Sequence, residues 1–173
     1  MASTISLEIV TPDGQALLTQ VSELTAPSVD GEFGVLPGHR PILAALRTGL
    51  VSYIADGQAT RVAVGTGFVE VFGERAVIMT DKFCKKADVD AVRVRLALKE
   101  ADQALDSFSG EPDSAEYAAL VEDEVWAAAQ LELYGDPPPP TIRVAYGAGP
   151  ASELMDDKSS QGDSAEPAGD REN

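Results

Sequence analysis

The first 84 residues of the chain alternate apolar and polar side chains in short runs, and turn-forming residues interrupt these runs. The run from Ile5 to Ile9 ends at Pro12-Asp13-Gly14, a second alternation extends from Val21 to Leu24, and Asp56-Gly57 separates two later runs. Alternation with a period of two predicts strands with one buried face. Asp-Gly favours a type I′ hairpin, because both central residues of that turn need positive φ. Many short strands without helical segments between them predict an antiparallel sandwich or barrel.

The periodicity changes at Asp88, which we predict to be the N-cap of a first helix. Apolar residues then recur three or four positions apart on one helical face: Ala91, Val94, Leu98, Ala101, Leu105 and Phe108. Gly110-Glu111-Pro112 ends this helix, and Ser114 is expected to cap a second one. The apolar face of the second helix is predicted to contain Ala118, Val121, Val125 and Ala128, widened by Trp126 and Leu131. Its acids are interpreted as a solvated face: Glu122, Asp123 and Glu124.

Two helices joined by a short break predict an antiparallel hairpin. Because short helices are marginal in water, this hairpin must dock on the sandwich or on a partner. Gly135 and prolines 137–140 end the second helix, and the small and acidic residues after them predict disorder. We therefore predict an α+β chain with a β-sandwich in residues 1–86, an α-helical hairpin in 87–134, and a Pro-rich linker with an acidic disordered tail in 135–173.

The charge of the chain excludes several classes of partner. Its 13 basic and 29 acidic residues give a net charge of −16. Nucleic-acid binding needs clustered Lys and Arg, and anionic lipid attracts basic surfaces. No apolar run approaches the roughly 20 residues of a membrane span, and the N-terminus lacks the apolar core of a signal peptide. The sequence predicts no nucleic-acid partner and no direct membrane insertion.

The residue types that carry chemistry are sparse and scattered. His39 is the only histidine, and no Cys or Asp cluster near it offers metal-ligand spacing. Gly65 and Gly67 precede no helical pattern, so a tight strand connection is favoured over a phosphate loop. Cys84, the only cysteine, is interpreted as a small apolar filler. Three lysines before the hairpin fit either a solvated linker or a contact for an acidic partner: Lys82, Lys85 and Lys86. The sequence predicts no catalytic residue, metal or cofactor.

One loop carries a longer and more specific pattern. The residues from Gly31 to Pro41 match, at every fixed position, the Gly-Glu-x-Gly-x-x-Pro-Gly-His-x-Pro core of the epsilon subunit family of F-type ATP synthases. Further matches follow at Gly49, at the strand from Gly67 to Val71, and at the start of the hairpin from Asp88 to Arg93. The chain thus resembles that family over residues 3–134, whereas the tail from 135 has no counterpart in the usual family pattern.

The resemblance implies a non-catalytic rotor subunit that couples rotation of the c-ring to the gamma subunit. In the family, the position of Glu32 faces the c-ring. Pro37, Gly38 and His39 fall in the segment that lies against gamma. The hairpin either folds on the sandwich or extends toward the alpha and beta catalytic subunits, where it hinders ATP hydrolysis. The implied location is peripheral, on the cytoplasmic side of the bacterial inner membrane.

Two departures from the family pattern concern regulation. Members that bind ATP in the folded hairpin carry Ile/Leu-Asp-x-x-Arg-Ala; Asp90 and Arg93 match, but Val89 and Val94 do not. No Arg or Lys occurs between Glu100 and Ile142, so at most a weak ATP contact is expected. The second helix is acidic, so charge pairing with an acidic loop of a catalytic subunit would be repulsive. The alternative function is a nucleotide-sensing or other ligand-binding β-sandwich module.

Overall fold

The computed structural model describes residues 3–139, and the predicted disordered tail from 140 onward lies outside them. Strands come first and helices follow, which confirms the predicted α+β class. The strands are β1 Ile5–Thr11, β2 Gly14–Val21, β3 Glu23–Ser28, β4 Gly31–Val35, β5 Ile42–Leu46, β6 Gly49–Ala55, β7 Gln58–Val64, β8 Gly67–Phe72, β9 Arg75–Thr80 and β10 Phe83–Lys85. A 3₁₀ turn at Lys86–Asp88 leads to α1, Ala91–Asp106, and α2, Ala115–Tyr134.

The strands form a ten-stranded sheet whose order is β10-β7-β6-β3-β5-β8-β9-β1-β2, with β4 paired to β3. The described pairs are antiparallel, as predicted, except that β1 runs parallel to β9. Period-two patterning indicates which residues face inward but not which strands become neighbours, so the sequence did not reveal this pairing.

Alternate side chains of β1, β6, β8 and β9 point into one core cluster. On β8, Val69 and Val71 are buried between outward-facing neighbours, and Leu7 and Ile9 of β1 lie in the same cluster. Each such side chain contributes roughly 1.5–3 kcal/mol when it is fully buried. The core makes the sandwich a stable support for its loops.

The turns agree with the predicted turn chemistry, with one exception. Asp56 and Gly57 have φ of 51° and 75°, and Ala55 pairs with Gln58, which confirms a type I′ turn. The alternation from Val21 to Leu24 is not one strand: β2 ends at Val21 and β3 begins at Glu23. Ser22 lies at the break, and its backbone N–H donates to the Ile54 carbonyl at 2.8 Å.

The first helix starts later than predicted. Asp88 lies in the 3₁₀ turn, and the N-cap is Asp90, whose carboxylate accepts hydrogen bonds from the backbone N–H groups of Val92 and Arg93 at 3.2 and 3.1 Å. Between them, Val89 is extended and packs at the junction with α2, so the helix cannot begin before it. The caps predicted for α2 are confirmed: Ser114 accepts from the Tyr117 N–H at 3.2 Å, and Gly135 ends the helix.

The second helix packs on two sides, which changes its predicted face. Ala127 and Leu131 lie against Val94 of α1, while Leu133 contacts the sandwich residues Ala63 and Cys84. Ala118 and Val125, which we predicted on the apolar face, are exposed instead. A helix buried on two sides has no single apolar stripe. The spacing of its apolar residues therefore could not show which side of α2 faces α1 and which faces the sandwich.

Candidate functional site

The outer surface of the sandwich carries a set of exposed apolar side chains, which we call the outer apolar face. Its members are strongly exposed residues of β2, β5, β8 and β9: Leu18 58%, Leu43 68%, Phe68 53%, Phe72 72% and Met79 42%. On β8, Phe68 and Phe72 point outward because Val69 and Val71 point into the core. The register places Phe68 opposite Met79. Charged side chains lie opposite the other three, since Phe72 pairs with Arg75, Leu43 with Glu70 and Leu18 with Glu8. Exposed apolar side chains grouped on one sheet face, with charged residues among them, are typical of interaction sites.

Polar groups on the same side of the sheet are tied to one another across strands. Arg75 of β9 forms an ion pair with Glu8 of β1, and the Gln15 side-chain amide donates to the Glu8 carboxylate at 2.8 Å. The hydrogen bond from Arg75, followed by the one from Gln15, lowers the pKa of Glu8 below its ordinary value. These contacts fasten β1 to both of its neighbours, β2 and β9.

Glu32 lies exposed on β4, which pairs with β3 and with no other strand of the described residues 3–139. The turn before it is fastened by Ser28, whose hydroxyl donates to the Gly31 carbonyl at 2.6 Å and accepts from the Asp30 N–H at 3.2 Å. Val29 at the same turn is 62% exposed. The Glu32 carboxylate therefore stands at a sheet edge beside an exposed apolar side chain.

The predicted residues Pro37, Gly38 and His39 form part of one tight turn between β4 and β5. The His39 N–H donates to the Leu36 carbonyl at 3.0 Å, and Gly38 has a φ of 83°. Proline in the second position and a positive φ in the third define a type II turn. The His39 ring is half-buried and its Nδ1 donates to the Arg40 carbonyl at 2.7 Å. Turn geometry therefore accounts for the Pro-Gly pair, and the turn leaves Leu36 exposed.

The two residues that match the nucleotide motif lie at the start of α1. The Asp90 carboxylate is engaged as the N-cap, where it binds the backbone N–H of Arg93. The Arg93 side chain is exposed. Helix capping is thus a sufficient structural reason for the aspartate.

Of the three acids predicted as a solvated face of α2, Glu122 contacts the sandwich and Glu124 is buried, so the prediction was wrong for these two. The Asp123 side chain is 68% exposed, as predicted, although it lies near Lys82. The Thr48 hydroxyl, on a residue only 3% exposed, donates to the Glu122 carboxylate. Lys82 Nζ lies 3.8 Å from Asp123 Oδ1 and 5.8 Å from the centroid of the Trp126 ring. Glu124 is buried. Acids that bind loops of the sandwich cannot be distinguished from solvated acids by their spacing along a helix.

Lys82 fits neither of the two interpretations given for the three lysines, a solvated linker or a contact for an acidic partner. Lys85 and Lys86 are exposed, but Lys82 is half-buried between the sandwich and α2. An open cleft of about 510 Å³ adjoins it, between the β1–β2 turn, the β9–β10 connection and Trp126. Cys84 lies under α2, where burial, and secondarily the negative charge of Asp88, raises the pKa of its thiol.

Within residues 3–139, no three His, Cys, Asp or Glu side chains converge as metal ligands would. The helices of that same region are too short or too polar to cross a bilayer. The features that sequence reasoning missed are the outer apolar face and the contacts of α2 with Thr48 and Lys82. The alternation of β8 contained a signal for the outer apolar face, since it places Phe68 and Phe72 on the side of the strand that faces away from the core.

Comparisons with known proteins agree with this architecture. The family model for the ATP synthase Delta/Epsilon chain beta-sandwich domain matches residues 4–86. The ATP synthase epsilon chain of Nitratidesulfovibrio vulgaris is 38% identical over 136 residues, which cover 79% of this chain and 99% of that protein. The corresponding protein of Magnetococcus marinus is 39% identical over 134 residues, covering 76% and 94% of the two chains.

Solved structures share the fold. A chain in the Euglena gracilis mitochondrial ATP synthase, in a structure of its OSCP, F1 and c-ring, superposes with a TM-score of 0.57 at 23% identity and covers 78% of this chain and 79% of its own. A chain in the central stalk and c-ring structure of the Tetrahymena thermophila enzyme has a TM-score of 0.50 at 16% identity, covering 75% and 96%. With the near-complete coverage of the bacterial relatives, these findings show that the chain belongs to the ATP synthase epsilon chain family.

Proposed function

We propose that this protein is a non-catalytic central-stalk subunit of a rotary ATP synthase that couples rotation of the c-ring to the gamma shaft. The observation that carries the proposal is the outer apolar face. Phe72 and Leu43 expose about 70% of their surface, and covering such side chains with a partner is favourable by roughly 25 cal/mol per Å² of apolar surface. The family of the chain makes the other stalk components the candidate partners.

The two surfaces of the sandwich would serve different partners. The outer apolar face and the turn at Pro37, Gly38 and His39 are assigned to gamma, since apolar patches suit a lasting interface. The sheet edge at Glu32 is assigned to the c-ring, where an exposed carboxylate next to a short fastened turn offers a polar contact. Torque transmission needs a stiff body, and the continuous core of the sandwich supplies one.

The hairpin is assigned a regulatory role in ATP hydrolysis. It rests on the sandwich through a small contact, and its release would let it reach the alpha and beta subunits. Residues 1–86 would then form the rotor-binding domain and 87–134 the regulatory domain, with 135–173 as linker and tail. The protein would sit peripherally on the cytoplasmic side of the bacterial inner membrane, held there by its partners.

The test is purification of the tagged full-length chain in mild detergent, followed by identification of the co-purifying subunits. The wild-type chain is expected to recover gamma, the c-ring, alpha and beta. Phe72→Asp should reduce recovery of gamma at least about tenfold, because a charge at a central contact commonly costs 2 kcal/mol or more.

The matched control is Val92→Asp on α1, where the replaced side chain is equally exposed, at 76%. Both variants should keep the circular dichroism spectrum of the wild type, since exposed substitutions seldom disturb a fold. A folded wild-type chain that recovers no stalk subunit, or equal losses for Phe72→Asp and Val92→Asp, would contradict the proposal.

A further inference from the structure

The contact between the hairpin and the sandwich contains polar pairs in addition to its apolar seam. Two neighbouring acids of α2, Glu122 and Asp123, reach two separate loops of the sandwich. Thr48 lies in the β5–β6 connection and Lys82 in the β9–β10 connection. In a chain with a net charge of −16, Glu122 meets a buried hydroxyl, and the exposed Asp123 lies near an ammonium group.

The groups that the two acids contact belong to the sandwich and are themselves anchored there. The Lys82 carbonyl accepts from the Gly65 N–H at 2.9 Å and from the Thr80 hydroxyl at 3.0 Å, which fixes the backbone beneath the lysine. Thr48 is almost fully buried in the docked structure. A partner group on a fixed backbone loses less entropy on docking, which makes its contact more effective.

We propose that Glu122 and Asp123, with Thr48 and Lys82, form a polar latch that holds the hairpin in register on the sandwich. The apolar contacts of Leu133 with Ala63 and Cys84 supply adhesion, but they would tolerate a rotated or shifted helix. The hydrogen bond to Glu122 requires one rotation and one height of α2, so the latch selects the docked position.

The two halves of the latch respond differently to salt. The Asp123 side chain is 68% exposed and lies 3.8 Å from the lysine, so its attraction is screened as ionic strength rises. The Thr48–Glu122 hydrogen bond is partly buried and is screened much less. Raising salt therefore loosens the lysine half and leaves the threonine half in place.

Two native side chains report on the latch directly. Cys84 and Trp126 are the only cysteine and the only tryptophan of the chain, and both lie in the seam between α2 and the sandwich. Undocking exposes the thiol to an alkylating reagent and moves the indole into water. The rate of Cys84 labelling then measures the population of the undocked state.

The experiment compares Cys84 labelling by a maleimide, with Trp126 emission as a second readout, in the isolated full-length chain. Thr48→Val and Glu122→Ala should each raise the labelling rate about tenfold, and the double variant should be no faster than either single one, because all three remove the same hydrogen bond. Thr48→Ser keeps the hydroxyl and should label like the wild type. Glu132→Ala removes an exposed acid from the same helix and should also have no effect.

The ionic half is tested by charge exchange. Lys82→Glu and Asp123→Lys should each accelerate labelling, and the variant carrying both changes should return toward the wild-type rate. Unchanged labelling in Thr48→Val and Glu122→Ala, additive effects in their double variant, or an equal acceleration by Glu132→Ala would overturn the latch. If Thr48→Val loses the wild-type circular dichroism spectrum, the labelling rate of Glu122→Ala alone tests the latch. Glu122 is half-exposed, so its replacement should leave the fold intact.

The latch itself concerns the isolated chain, and only its link to the regulation of ATP hydrolysis rests on the proposed function. The labelling experiment contains no synthase subunit, so its outcome concerns the isolated chain. If Thr48 and Glu122 are coupled but the chain recovers no gamma, the latch stands and the proposed function is refuted. If the two residues are not coupled but the chain recovers gamma, the latch is refuted and the proposed function stands.

Discussion

Single residues show where chemistry alone decides the local structure and where the surroundings do. Asp56-Gly57 adopts the turn that its sequence predicts, with positive φ at both positions. Asp88 and Asp90 are both reasonable N-caps by residue type, yet only Asp90 caps α1, because the extended Val89 between them packs against the hairpin. The prediction of Asp88 was therefore wrong, and the packing of Val89 is the physical reason.

The cap gives a direct stability prediction. Asp90→Ala should lower the free energy of unfolding by about 1 kcal/mol, because two backbone N–H groups lose their acceptor. Asp90→Ser should retain most of the wild-type stability, and Asp88→Ala should leave the free energy of unfolding almost unchanged. Urea denaturation followed by circular dichroism measures all three, and equal losses for Asp88→Ala and Asp90→Ala would contradict the assignment.

A second residue-scale prediction concerns Gly67 at the start of β8. A Cβ placed there would lie 1.9 Å from the backbone carbonyl oxygen of Met79, which a paired strand cannot move away. Gly67→Ala should therefore destabilise the sandwich by at least about 2 kcal/mol. Gly34→Ala is the control, since the nearest atom to a Cβ there is 4.0 Å away; similar melting temperatures for the two variants would refute the argument.

A third prediction at this scale concerns nucleotide. The Asp90 carboxylate is occupied by the helix cap, and no Lys or Arg occurs from Glu100 to Ile142, so a triphosphate would meet little positive charge. Calorimetry on the isolated chain should show no ATP affinity in the micromolar range. Micromolar binding that Arg93→Ala abolishes would contradict this expectation and would favour the nucleotide-sensing alternative.

Among the elements, the pairing of β1 with β9 joins the β1–β2 hairpin to the rest of the sheet, next to the outer apolar face. The Arg75–Glu8 pair spans these two parallel strands. The lowered pKa of Glu8 in the folded chain means that the folded state favours the carboxylate, so this contribution to stability is present above the unfolded pKa of the group. It is lost as pH falls through the lower folded pKa.

The corresponding variant is Glu8→Gln, which removes the titrating group. The unfolding free energy of the wild type should decrease more steeply between about pH 5 and pH 2 than that of the variant, since an ordinary Glu titrates near 4.3. Glu23→Gln, an exposed strand acid, serves as the control. Identical acid slopes for the wild type and Glu8→Gln would show that the pair does not affect stability.

At the scale of the whole molecule, one apolar cluster joins the hairpin to the sandwich and a second joins the two helices to each other, within one compact unit. The seam with the sandwich is small beside the core, which contains buried side chains from most of the strands. Contacts with little buried apolar area open at a lower free energy than the global unfolding of a domain. The hairpin should therefore separate from the sandwich before the sandwich unfolds.

This order predicts two transitions in urea. Cys84 labelling and the red shift of Trp126 should occur at a lower concentration than the loss of the β-sheet circular dichroism signal. Leu133→Ala, which removes a buried side chain of the seam, should move the first transition to lower urea and leave the second nearly unchanged. Coincident transitions in both proteins would show that the two parts unfold as one cooperative unit.

The kinds of element, their order, the turn chemistry and the specific loop from Gly31 to Pro41 could all be predicted, because they depend on local periodicity and on backbone preferences of single residues. Three features became visible only in the folded chain: β1 pairs with β9, α2 is buried on two sides, and Glu122 and Asp123 lie near Thr48 and Lys82. These features join residues distant in the chain, and their partners leave no periodic trace in the segment itself. The exposure of Phe68 and Phe72 has the same origin: alternation shows that they oppose the core, but only the folded sheet shows that no described element covers them.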